Sequence, residues 1–271
     1  MTIAKRIFDF YINSSIHVAL SCFALVRMTQ FMFQIPENNY IAFFAFFGTV
    51  CGYNFVKYDA VARIGKRQLR SQLKAIAGMS FIAFGIAAYC FFKFDFTTQI
   101  SGFLFFALIV LYTLPFFPNR KNARNWAGVK IYMVALCWVG ITLILPVVES
   151  GIVMTSDFYI KCIQRFCLIF ILILVFEIID LKTDDPHLKT VPQQIGVKWT
   201  KIVGLLLLIP FYFLEFFKIH INQDQLLINA VLVAIISLSI LFAKETKSRY
   251  YSVFWVEMIP VLWYALVLFF G

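Results

Sequence analysis

Four acidic residues fall within nine positions past the middle of the chain: Glu177, Asp180, Asp184 and Asp185. Asp180 and Asp184 are four apart, so on a continuing helix they share a face, with Glu177 three residues earlier on the same side. Two carboxylates at this spacing suit Mg²⁺, a hard ion that prefers oxygen, keeps several waters and is usually completed by substrate phosphates. Asp185 is adjacent and can join them through a kink. Pro186 ends the helix. Lys189 and Thr190 then offer donors to a phosphate, and Gly196 permits a tight turn before the next helix. Carboxylates at a helix C-terminus oppose the helix dipole, which argues for a bound cation there. A plain solvated helix end is the other reading.

The element that carries this stretch is an apolar run, FCLIFILILVF over 166–176. It belongs to a chain that is apolar throughout. The 271 residues are 62% hydrophobic and only 14% charged, with 33 phenylalanines, and mean hydropathy is +0.84. Soluble domains carry about 25% charged residues. The composition therefore specifies an all-α multispan membrane protein, a single transmembrane domain over 1–271 with no room for a separate soluble one. A net charge of +10 would point to nucleic acid in a soluble protein. Here the cations sit in short loops and no nucleic-acid motif is present, so membrane orientation accounts for them. The first apolar segment reads as a retained helix rather than a cleavable signal peptide.

An apolar helix needs about 20 residues to cross a bilayer core. Nine spans are expected, at 7–27, 38–57, 74–92, 97–117, 129–148, 158–179, 200–218, 225–243 and 252–270. With the N-terminus in the cytoplasm, 19 of the 24 Lys and Arg fall in the cytoplasmic segments and 5 on the other side, as the positive-inside rule requires. The cytoplasmic loops after helices 2, 4 and 6 are the longer ones and carry most of the chemistry-capable side chains. A site is expected on that face.

Asp180-Leu-Lys-Thr-Asp184, followed by Lys189-Thr190-Val-Pro192-Gln-Gln-Ile-Gly196, at the cytoplasmic end of helix 6 of nine, resembles the second aspartate-rich motif of the UbiA-type prenyltransferase superfamily. The resemblance implies a UbiA-like helical bundle over nearly the whole chain. It implies transfer of a prenyl group from an allylic diphosphate to an aromatic or lipid acceptor, with Mg²⁺ as cofactor and the bilayer as surroundings. On it, Asp180 and Asp184 hold the metal and are catalytic, Asn54 orients the site, and Tyr112, Lys121 and Lys189 contact the diphosphate. The bacterial cell membrane is the expected location. The greasy aromatic composition agrees with such chemistry, because aromatic faces stabilise an allylic cation and exclude water.

The first motif of that superfamily, N-D-x-x-D-x-x-x-D near the end of helix 2, departs here. Asn54 is present, but Phe55, Tyr58 and Ala62 stand at the aspartate positions. Asp59 is displaced by one residue, about 100° around a helix, and an ion pair with Arg63 four residues on is its plain reading. The basic run Arg63, Lys66, Arg67 and Arg70 either replaces the missing metal or is ordinary inside charge. A second function is therefore carried alongside the first: a catalytically altered relative that binds an isoprenoid or lipid phosphate. A small transporter is a third, with Pro210 and Pro260 near mid-helix its only support.

The loop after helix 4 adds Arg120, Arg124 and Lys130 to the candidate cations. Glu257 lies inside helix 9, where a carboxylate usually faces the bundle interior and has a partner; an acceptor or a lysine near the cytoplasmic face would serve. Lys161 and Arg165 lie near the outer end of helix 6, and snorkelling to headgroups is the expectation for Lys161. The six cysteines form no CxxC pair and read as packing residues. His17, His187 and His220 form no metal-ligand cluster.

Overall fold

The computed structural model describes residues 3–64, 70–113, 128–219 and 221–270, and the side chains of these except 59–64, 70, 71 and 112. Among them every regular element is helical. The N-terminal segment is two helices, α1 (Ile3–Asn13) and α2 (Ile16–Met32), meeting at 55°. Ser15 makes the corner with a left-handed φ of 61°. The expected span 7–27 is thus displaced. Asp9 and Asn13 interrupt the apolar run of α1, and only Ile12 of it is buried. The chain continues through α3 (Asn39–Ile64), α4 (Arg70–Phe91) and α5 (Phe96–Thr113). Next, α6 (Val129–Val139) runs through a π-helical turn, Gly140–Ile144, into α7 (Leu145–Ser150), one rod of membrane length.

The apolar run forms α8 (Ser156–Ile179). After it come α9 (Val191–Phe213), α10 (Gln223–Leu241), a second π-helical turn (Tyr251–Val256) and α11 (Ile259–Phe270). Seven of these elements are long and apolar enough to cross a membrane; the bent α1–α2 pair makes an eighth, and the shorter apolar Phe96–Leu111 takes the place of the fourth expected span. The protein is a multi-pass helical membrane protein.

α8 is the axis of the bundle. Of its most apolar 18-residue stretch 72% is buried, against 22% for that in α4 and 28% for those in α3, α9 and α11. A helix apolar on every side goes to the centre. It packs on α6 and α9; α11 lies between α2 and α10; and α3 packs on α2 and α4. Leu25 and Met28 of α2, Phe211 of α9 and Trp263 of α11 join the α8 core. Gly140 has a packing reason. A Cβ there would stand 2.2 Å from the Phe105 ring, so its bare backbone lets α5 close on the first π turn.

Candidate functional site

The acidic stretch resolves into separate tasks. α8 stops at Ile179, and Asp180 is its C-cap, with φ −85° and ψ 1°. The helix does not continue through Asp184 as expected. Instead Thr183 and Asp184 both donate their backbone N–H to the Asp180 carbonyl, each at 2.8 Å. This single turn holds the two aspartates together while the chain changes direction toward Pro186. Asp185 does not join them: its Oδ1 accepts from the His187 N–H at 2.9 Å and caps the 3₁₀ turn Pro186–Leu188. Glu177 accepts from the Val191 N–H at 3.0 Å, placing a carboxylate on the positive end of α9.

The residues after Asp185 set the entry into α9. Lys189 is exposed and takes a left-handed φ of 44°. Thr190 is the N-cap of α9, its N–H held by Gln193 Oε1 at 2.9 Å. Pro192 lies in the first turn, where its missing N–H leaves no bond unmade. Gly196, at φ 77° and ψ 160°, breaks the helical path, a conformation that suits only glycine.

Behind this turn lies a cavity of about 300 Å³. Residues of α2, α3, α5, α6, α8 and α11 line it, with Ile141 from the first π turn. Lys130, Glu177 and Asp180 stand at the end next to this turn, and the walls below are mostly apolar, among them Val56, Met133, Trp138 and Phe176. Lys130 Nζ is 3.9 Å from Asp184 Oδ2. That same Oδ2 is buried without a hydrogen bond. Burial, then the neighbouring Asp184, push the Asp180 carboxyl above the usual carboxylate range, while Lys130 and Arg249 oppose the shift. A cation supplied between the two aspartates would relieve both effects. Among the described residues no three His, Cys, Asp or Glu side chains group as a metal cage. Mg²⁺ commonly takes one or two carboxylates and completes its shell with water and phosphate. The oxygen donors of Asp180 and Asp184, one of them without a hydrogen bond, fit that ion.

The other candidates scatter. Asn54 is buried but is not among the cavity-lining residues. Its Nδ2 donates to the Ser14 carbonyl at 3.0 Å and to Ser80 Oγ at 2.9 Å. The α3 face on the cavity is Gly48, Thr49, Gly52, Tyr53 and Val56; 54 lies off that stripe, toward α4 and the α1–α2 corner. The degenerate motif positions also bind locally, since Tyr58 Oη donates to the Asn13 carbonyl at 2.7 Å and Lys57 Nζ to the same oxygen at 3.0 Å. Tyr112 is in α5, with its side chain outside the described residues. Lys121, Lys66, Arg67, Arg120, Arg124 and His220 lie outside them, as do the side chains of Asp59, Arg63 and Arg70. The cation beside the aspartates is Lys130. In the sequence it is one of several basic loop residues, and nothing in the spacing singles it out.

The two cations of α8 are buried inside the bundle. Lys161 is 3% exposed and does not snorkel; Glu215, fully buried on the turn ending α9, takes its Nζ at 2.9 Å. Gln164 and Asn229 add bonds to the same carboxylate at 3.0 and 3.2 Å, and Lys218 pairs with it from the rim. Arg165, 1% exposed, meets no carboxylate within ion-pair distance among the described residues. It donates to the Leu25 carbonyl at 3.3 Å, to Thr142 Oγ1 at 2.9 Å and to Thr29 Oγ1 at 3.3 Å, and lies 5.5 Å from the Trp263 ring centre. It ties α2 and the first π turn to α8.

No protein-family model matches the sequence, and no curated protein matches it. Solved structures do. A UbiA homologue from Archaeoglobus fulgidus superposes with a TM-score of 0.63 at 14% identity, covering 95% of this chain and 97% of its own. The apo structure of a UbiA homologue from Aeropyrum pernix K1 gives 0.62 at 12% identity, covering 95% and 96%. The Archaeoglobus fulgidus homologue bound to GPP and Mg²⁺ gives 0.62 at 14% identity, covering 95% and 97%.

Proposed function

We propose, for a chain that has the fold of the UbiA homologues, a membrane-embedded Mg²⁺-dependent prenyltransferase that moves a prenyl group from an allylic diphosphate to an aromatic or lipid acceptor at the cytoplasmic face. The observation that carries this reading is the apolar cavity whose charged end is Lys130, Glu177 and Asp180, with Asp184 beside Lys130. A solved homologue of the same fold is bound to GPP and Mg²⁺. The charge alternation along the loops supports an N-terminus in the cytoplasm, and a bacterial cell membrane is the setting proposed.

Asp180 and Asp184 hold the ion. When bound, Mg²⁺ neutralises the charge that grows on the diphosphate as the allylic C–O bond breaks. Lys130 adds a fixed positive charge on the same side. Lys189, exposed on the adjoining turn, contributes a further cation, and Tyr112 and Lys121 are proposed for the diphosphate from the helix 4 side. Asn54 acts on the site through the α3–α4 contact that it makes. Below the charged end the apolar walls take the prenyl chain and keep water out. Trp138, whose indole donates to Tyr53 Oη at 2.9 Å, and Phe176 present aromatic surface to an allylic cation.

A second reading, binding of an isoprenoid or lipid phosphate without transfer, has one observation in its favour. The helix 2 motif, on α3, lacks its aspartates, and Lys57 and Tyr58 within it bond to the Asn13 carbonyl at the α1–α2 corner. Binding of GPP to the purified protein, with and without Mg²⁺, tests the site common to both readings. Mg²⁺-dependent binding in wild type, lost by about a hundredfold or more in Asp180→Ala/Asp184→Ala, is expected, since each removes a charged ligand. No binding by folded wild-type protein overturns both. Prenylated product from an acceptor panel separates transferase from binder.

A further inference from the structure

The cavity has a polar group in its wall, Glu257, that the diphosphate end does not use. Among the described residues its carboxylate has no hydrogen bond and no ion pair. Its backbone, by contrast, is fully engaged. The Glu257 N–H donates to the Ser252 carbonyl at 3.1 Å, and the Glu257 carbonyl accepts from Ser21 Oγ of α2. The first of these bonds closes the second π turn. One extra residue in that turn rotates the downstream helix by about 100° relative to an unbroken one. Pro260, three residues on, also lines the cavity. π turns recur at functional sites. A carboxylate in a membrane interior is costly without a partner.

The surrounding charges restrict the partner. Lys57 and Arg249 act on Glu257 from a distance, and Lys57 Nζ is bonded to the Asn13 carbonyl. The other acidic and basic side chains in the cavity wall are Lys130, Glu177 and Asp180. The lining therefore carries three acids to one base. A ligand with its own carboxylate or phosphate would meet repulsion near Glu257, whereas a neutral hydroxyl or amine would donate to it.

We propose that Glu257 is the acceptor-binding residue of this cavity, receiving a hydrogen bond from an O–H or N–H of a largely apolar acceptor and disfavouring acidic ones. This rests on the reading of the cavity as a transferase site. The test uses full-length protein in nanodiscs and three ring-matched probes: 2-naphthol, 2-methoxynaphthalene and 2-naphthoate. Their binding is tracked by quenching of tryptophan fluorescence, with Trp138 in the cavity wall. GPP binding with Mg²⁺ is measured in parallel.

Wild type is expected to prefer 2-naphthol to its methyl ether by about tenfold, the worth of one buried hydrogen bond, and to bind 2-naphthoate most weakly. Glu257→Leu is expected to bind naphthol and ether alike while keeping GPP affinity. Glu257→Gln, which keeps the shape and loses the charge, is expected to retain about a threefold preference and to gain affinity for naphthoate. Should the leucine variant not fold, the glutamine variant decides. Equal binding of naphthol and ether by wild type, or an unchanged preference in a folded variant, overturns the assignment. If GPP binds and the preference is absent, Glu257 alone is wrongly assigned. If the preference depends on Glu257 and GPP does not bind, the Glu257 site stands and the prenyl diphosphate reading falls.

Discussion

Lys130 and Asp184 sit 54 positions apart in sequence and 3.9 Å apart in space, and that proximity divides the candidate side chains. The aspartate pair was legible because its spacing is local. Four positions span one turn whether the segment is a regular helix or, as here, a cap and a single turn after it. Lys130 was not, because a basic loop residue looks the same whether it faces water or a carboxylate. Asn54 matched a motif position, yet its amide joins α3 to Ser14 and Ser80, since the face a helix turns to a cavity is set by its neighbours. At this scale Lys130→Met should weaken Mg²⁺-dependent GPP binding by about tenfold, the loss of one charge-assisted contact, with Lys130→Arg weakening it less. Calorimetric titration of GPP against both variants checks the order; equal losses would show that side-chain length, not charge, matters there.

The helices carry predictions of stability. Glu215 holds Lys161 in the interior between α8 and the end of α9, so Glu215→Gln leaves a buried ammonium without its counter-charge. Such a loss costs about 3–5 kcal/mol, and replacing both residues by methionine should recover much of it. Unfolding of the reconstituted protein, monitored by helical circular dichroism, distinguishes the single from the double substitution. The expected snorkelling of Lys161 was wrong because a partner 54 residues away in sequence is invisible to a hydropathy profile. Gly196 differs in kind. Its φ of 77° carries information readable from the glycine in the motif, and Gly196→Ala should destabilise the start of α9 by about 1–3 kcal/mol. The same unfolding measurement reads it, with Gly204→Ala separating backbone strain from helix crowding, because a Cβ at Gly204 would stand 3.0 Å from Ile240 with no positive φ there.

For the molecule as a whole, the cavity is the feature on which function turns, and it exists only where six helices meet. Gly52 lines it and has open space where a Cβ would stand. Gly52→Leu should therefore fold, since glycine is the poorer helix residue, and should lower GPP affinity by about tenfold or more, because filling a pocket by even one or two methylenes has that weight. Unchanged affinity in a folded variant would place the prenyl chain elsewhere. Membrane insertion, the nearly complete set of spans and the acid pair at the end of α8 could be read from the chain alone, because hydropathy, loop charge and i,i+4 spacing are properties of contiguous residues. The bend at Ser15, the two π turns, the partners of the buried charges and the cavity between α3, α6, α8 and α11 could not. Each depends on which faces of distant helices meet, and that is settled by packing across the bundle rather than along the chain.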